Sequence, residues 1–305
     1  MDTTWMSIDT DWNAVATIIG VHGIGQQQYG PHQLVNRWEP ALHDGIQFAG
    51  GSTAKMPQFD IAFYGDLFLT PGASGEPVKG TSGPPITVDD LEELADLDEE
   101  ERGDLVEAAL ELVPEAAADL AGQPKGLRTP RSIQIVAGAI GRRFSAAGAV
   151  LFFGDLRQVR KYLHDSKLRS EIDARVASAI GADRKVIIGH SLGSVVAYEH
   201  LRRQSPAVPL PLFLTIGSPL GLRMVRRWLT PNAQSDGSAS LPRVAQWVNV
   251  FDNRDPVACA GRLRRWWPAV RESTVDNQAN AHDAEAYLSK AVSGAAVLAA
   301  LKPVQ

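Results

Sequence analysis

Apolar residues along this chain follow two rhythms. Short unbroken runs occur at Thr17-Ile18-Ile19-Gly20-Val21, Phe59 to Tyr64, Lys185-Val186-Ile187-Ile188, Pro211 to Gly217 and Gln246 to Phe251. Their length and β-branched content predict strands buried on both faces. Between them the spacing changes to three and four. Leu34, Val35, Trp38, Leu42 and Ile46 predict a helix over 31–48 with Pro31 at its start. Leu168, Ile172, Val176 and Ile180 predict one over 167–180, ended by Gly181. Leu192 to Arg203 has helical composition, and Ala286, Leu288, Val292, Val297 and Leu301 predict a last helix over 283–301. Strand, helix and strand in alternation build a parallel sheet, so the fold class is α/β, a mostly parallel central sheet with helices on both faces.

The alternation stops near Asp66. Residues 70–87 have the Pro and Gly content of a loop, and residues 89–119 are acidic and helical, with Leu91, Leu94, Leu97, Leu105, Leu110 and Val113 among the carboxylates. Fourteen of the 35 acidic residues fall there, against one arginine, so the rest of the chain is mildly basic. Residues 120–148 mix Pro124, Gly126 and Pro130 with a small-residue stretch. We read 1–305 as a single domain with an inserted cap or lid at about 66–150. Residues 230–242 read as a surface loop.

Composition narrows the function. Cys259 is the only cysteine, so no internal disulfide forms, and a cytoplasmic setting is expected. The first residues show no secretory signal pattern, and no segment has the uninterrupted apolar length of a membrane span. A net charge of −5 gives no reason to expect nucleic acid. No His, Cys and Asp cluster has metal-ligand spacing, so neither a metal nor another cofactor is expected.

The chemistry is expected at Gly189-His190-Ser191-Leu192-Gly193, where an apolar strand runs into a helix. A Gly-x-Ser-x-Gly elbow holds its serine on a strained turn, and a Cβ on either glycine would collide with the neighbouring strand or helix. Ser191 is the candidate nucleophile. The backbone N–H of Leu192, at the start of the helix, is a candidate oxyanion donor.

A serine hydroxyl needs a histidine to take its proton and a carboxylate to orient that histidine, in the chain order serine, acid, histidine. Asp252 and Asp255 follow the Gln246 to Phe251 strand. Asp255 is preferred because it stands farther past the strand end with Pro256 behind it, and Asp252 is the alternative. His282 is the only histidine beyond both, in Asn280-Ala281-His282-Asp283, with Asp283 placed to cap the last helix. The early loop His22-Gly23-Ile24-Gly25 follows the first strand and is expected to bring a second oxyanion donor, the N–H of Ile24 or else of Gly25. His22 reads as a positioning residue.

Together the elbow, the early His-Gly-x-Gly loop, the late Asp and the final His resemble the α/β-hydrolase superfamily. Gly189 to Val196, Ile216-Gly217-Ser218-Pro219-Leu220-Gly221-Leu222, and Asn249-Val250-Phe251 with Asp255-Pro256-Val257-Ala258 look most like the intracellular phospholipase A1 proteins with a DDHD domain. The four-residue metal-binding signature of that domain is not found. The resemblance implies a serine hydrolase that cleaves carboxylic esters through an acyl-enzyme, acting on a small-molecule or lipid ester with transient contact to a membrane surface. A thioesterase, a peptidase or a non-catalytic relative are the alternatives. Arg262, Arg264 and Arg265 beside Trp266-Trp267 suggest an anionic headgroup next to an apolar path, or else a solvated face over core tryptophans.

Overall fold

A computed structural model describes residues 17–27, 29–54, 56–68, 97–121, 131–181, 184–204, 208–229, 242–259 and 262–302. The expected loops at 70–87 and 230–242, the expected helical residues 89–96 and the first residues lie outside these, apart from Pro242.

Six parallel strands form one sheet: β1 (Thr17–Val21), β2 (Gln58–Ala62), β3 (Arg184–His190), β4 (Leu210–Ile216), β5 (Val244–Asp252) and β6 (Arg271–Val275), in the order β2-β1-β3-β4-β5-β6. The protein is thus α/β with an all-parallel sheet among the described residues. The chain starts at β1, steps to the edge at β2, and returns to the other side of β1. The switch point therefore lies between β1 and β3, where the carboxyl ends of open parallel sheets leave a crevice.

Successive strand residues feed opposite cores. Ile19, Ile187, Phe213 and Trp247 face one side, and Ile18, Val186, Ile188, Leu212, Leu214, Val248 and Val250 face the other. The second side is covered by α1 (Pro31–Phe48), α9 (Ala284–Leu288) and α10 (Ala291–Leu301). The first is covered by a larger layer comprising α2 (Glu99–Leu112), α3 (Ala116–Ala121), α4 (Arg131–Phe144), α5 (Ala146–His164), α6 (Ser166–Ala179), α7 (Leu192–Arg203) and α8 (Arg223–Trp228).

The acidic segment is held by the basic remainder. Glu101 meets Arg157 at 3.4 Å, Asp104 meets Arg160 at 3.0 Å and also pairs with Arg227, and Glu107 meets Arg227 at 2.8 Å. The carboxylate of Glu111 accepts the backbone N–H of Arg223 at 2.8 Å. These bonds join α2 to α5 and α8, so charge supplements a modest apolar stripe.

Two sequence expectations need correction. The helix expected over 283–301 is two helices, broken at Ser289-Lys290. The cause is α1, which crosses backbone to backbone: a Cβ on Gly45 would lie 2.2 Å from the Leu288 carbonyl oxygen. Ser293 covers the break by donating to the Tyr287 carbonyl at 2.8 Å. Asp283 occupies the N-cap position of α9 but makes no capping hydrogen bond through its side chain. Of the two readings of Arg262 to Trp267, Trp267 follows the core one: it is buried in an aromatic cluster with Trp247 at 5.2 Å and Tyr198 at 5.4 Å. Arg262 stacks on Phe251, and Arg226 and Arg265 on Trp266.

Candidate active site

Every candidate residue follows the carboxyl end of a strand. Ser191 sits between β3 and α7 with φ 50° and ψ −127°, in backbone space that L residues rarely occupy, and its N–H is tied to the Ile216 carbonyl at 3.2 Å. That strain turns the chain sharply enough to start α7 at the next residue, so the N–H of Leu192 precedes any helical acceptor. The flanking glycines are required by close approach. A Cβ on Gly193 would stand 2.0 Å from the Val21 carbonyl oxygen, and one on Gly189 would stand 2.6 Å from the Ser194 Cα.

The His22 to Gly25 loop lies against the elbow. A Cβ on Gly23 would be 2.7 Å from the Ser191 Cβ. His22 is buried, its Nε2 accepts the Tyr64 backbone N–H at 3.0 Å, and its Nδ1 therefore donates to the Gly23 carbonyl at 2.7 Å. This fixes one neutral tautomer, and burial lowers its pKa to about 4. Tyr64 stacks on the ring at 4.1 Å and donates its hydroxyl to the His22 carbonyl. His22 thus shapes the loop that presents Ile24 and Gly25.

Past β5, Asp255 and Asp252 are used differently. Asp255 Oδ1 accepts the backbone N–H groups of Val257 at 2.9 Å and Ala258 at 3.3 Å. Its Oδ2 accepts from His282 Nδ1 at 2.8 Å and from the Tyr287 hydroxyl at 2.7 Å. Asp252 instead closes the turn by accepting the backbone N–H of Arg254 at 2.8 Å and ties it to the segment after β6 by accepting that of Asn277 at 2.5 Å. Gly217, after β4, has φ 57°, and a Cβ there would come 3.1 Å from Asp255 Oδ2 and 3.3 Å from His282 Nδ1.

His282 is positioned from behind as well. His190 donates through Nε2 to its backbone carbonyl at 2.7 Å, and the two rings lie 4.8 Å apart. Burial, and then the charge of His282, hold the His190 pKa well below its usual value, so His190 is neutral. Burial also works against a charged His282. Asp255, through charge and hydrogen bond, followed by Asp155 and Asp283, outweighs it and pushes the pKa up to about 9.

Asp155, on α5, is the group that sequence reasoning missed. Its Oδ1 accepts the hydroxyl of Ser191 and lies 4.0 Å from His282 Nε2, which has no hydrogen-bond partner among the described residues. Asp155 and Ser191 are both 0% exposed. Burial raises the Asp155 pKa to about 6, against the charge of His282 and the Ser191 hydrogen bond. A signal existed: Phe152, Asp155, Leu156 and Val159 share one buried stripe at helical spacing, and a carboxylate on such a stripe requires a polar partner across from it.

The structure thus brings Ser191, His282, Asp255 and the His22 to Gly25 loop to one sheet edge, between β1 and β5. Among the described residues no three His, Cys, Asp or Glu side chains gather as a metal site. No helix among them is long and apolar enough to cross a membrane. Comparison with family models, with curated proteins and with solved structures gives no match.

Proposed function

We propose that this protein is a serine hydrolase of the α/β-hydrolase type that cleaves carboxylic esters. The reading rests on one observation above all: a serine in strained elbow geometry stands beside a buried His282–Asp255 pair with a 2.8 Å hydrogen bond. Ser191 Oγ attacks the ester carbonyl while its proton passes to His282 Nε2, and Asp255 holds Nδ1–H and the imidazolium charge. The tetrahedral oxyanion is received by the backbone N–H groups of Leu192 and Ile24. His282 returns the proton to the leaving alcohol, and the acyl-enzyme remains. Water, deprotonated by His282, then attacks that ester and releases the acid and the free serine.

The large helical layer above the site favours an apolar acyl group, and a small or lipid ester fits that description. A fluorophosphonate probe should label the purified protein at Ser191 alone, and Ser191→Ala should abolish both labelling and hydrolysis of short p-nitrophenyl esters, a loss of about 10⁶-fold. Ester hydrolysis that survives Ser191→Ala overturns the assignment. A panel of oxygen esters, thioesters and peptides then separates esterase from thioesterase and peptidase.

A further inference from the structure

The hydroxyl that should face His282 is bonded elsewhere. Ser191 donates to Asp155 Oδ1, the same oxygen lies 4.0 Å from His282 Nε2, and neither His282 Nε2 nor Asp155 Oδ2 has a hydrogen-bond partner among the described residues. Asp155 belongs to α5, whose buried stripe of Phe152, Phe153, Leu156 and Val159 lies over the sheet face that carries the elbow. Ser191 is fully covered, by Asp155 of α5 on one side and the His22 to Gly25 loop on another, so no ester reaches it in this form. An unpartnered carboxylate oxygen and an unpartnered imidazole nitrogen, both buried, cost free energy that a rearranged site would recover.

We propose that Asp155 is a positioning residue that holds the Ser191 hydroxyl off His282 while α5 covers the site, so that withdrawal of this one carboxylate both uncovers the serine and frees His282 to act as base. In the closed form the proton of Ser191 points at Asp155, and His282 carries both ring protons, Nδ1–H on Asp255 and Nε2–H on the side of Asp155. When α5 moves away, His282 loses a negative neighbour. Its Nε2 proton passes to solvent, and Nε2 then accepts the hydrogen bond of Ser191. Opening and activation are one event.

The groups that set the charge of His282 can be named element by element. Asp155 faces it from α5, Asp255 from the turn after β5, His190 from the end of β3, and Asp283 from its own loop. Tyr64, after β2, is within electrostatic reach of Asp155, and Tyr287 of α9 bonds to Asp255. Of these groups only Asp155 is carried by a helix of the layer that covers the first face of the sheet.

This role rests on the hydrolase reading, and the experiment separates the two. In the full chain, Asp155→Asn keeps the shape of the side chain and removes its charge. The His282 titration is followed in ¹⁵N-histidine spectra, with the resonance assigned by its loss in His282→Asn, alongside fluorophosphonate labelling from pH 5 to 10. The expected result is a fall of the His282 midpoint by about one pH unit, and labelling at pH 7 about tenfold faster than wild type. An unchanged midpoint overturns the positioning role, and so does labelling that is slower at every pH, which would make Asp155 the proton acceptor itself. If Asp155→Asn does not fold, Ser191→Ala carries the test: the freed carboxylate turns to His282 and its midpoint rises, and no rise overturns the proposal. A wild-type protein that never labels while these His282 shifts occur would sink the hydrolase reading and leave the positioning role standing.

Discussion

Two walls of the site hold a carboxylate against His282, and they hold it in opposite ways. The wall built on the sheet carries Asp255, whose two oxygens receive four donors, two of them backbone N–H groups fixed by the turn after β5. The helical wall carries Asp155, with one oxygen on Ser191 and the other with no partner among the described residues. A fully satisfied carboxylate in a backbone cradle keeps one position and one charge. A half-satisfied one gives up a single hydrogen bond when its side chain turns away. Where a group must orient a histidine through every turnover the first design serves, and where it must leave for turnover to begin the second does.

The largest effect is expected on the fixed wall. Asp255→Asn keeps the shape but lets His282 adopt the wrong tautomer, and kcat/KM for a p-nitrophenyl ester should fall about 10⁴-fold. Asp252→Asn, which loosens the turn and its tie to Asn277 but touches neither Ser191 nor the His282 ring, should fall far less, and equal losses would erase the distinction between the two aspartates. Next comes pH. His22 is neutral in the fold, with a pKa lowered to about 4, whereas in the unfolded chain it charges below about 6.5. The unfolded state therefore binds more protons in this window, and stability is lost as pH falls from about 6.5 to 4. The full loss from this residue is about 3 kcal/mol. Thermal unfolding across that range should drop less steeply in His22→Asn than in wild type. Tyr287→Phe removes one of the four donors to Asp255 and should cost about tenfold in kcat/KM, with KM little changed. Smallest is Glu107→Gln on the helical wall. Breaking this part-exposed pair with Arg227 should lower stability by less than about 1 kcal/mol, and the difference should vanish in 1 M salt in a denaturant titration.

Legibility followed the same division. The inner strands β1, β3, β4 and β5 announce themselves as apolar runs because burial on both faces leaves little room for polar residues, and they lie within about two residues of where the sequence puts them, while the edge strand β2 keeps Phe59, Ile61 and Ala62 buried between exposed Gln58 and Asp60. The sixth, β6, reads Arg271-Glu272-Ser273-Thr274-Val275 and lies at the sheet edge with half of its surface open, so it carries no apolar run to find. Ser191, Asp255 and His282 were readable because an elbow constrains what must follow it in chain order. Asp155 was not, because nothing in that order calls for a fourth member. A single acid among apolar helix positions declares its role only when the element opposite is known. Tyr287 escaped for a related reason: it serves through the side chain of Asp255, and spacing along the chain carries no trace of that.

The elbow and the early loop are interlocked at the level of single atoms. Gly193 leaves no space for a methyl group against Val21, and Gly23 leaves none against Ser191. Neither segment can drift in sequence alone, since an alanine in either forces the other backbone aside. Alanine at Gly193 or Gly23 should therefore cost more stability than alanine at Gly138 or Gly154 of the helical layer, where an added methyl group meets nothing closer than 3.7 Å.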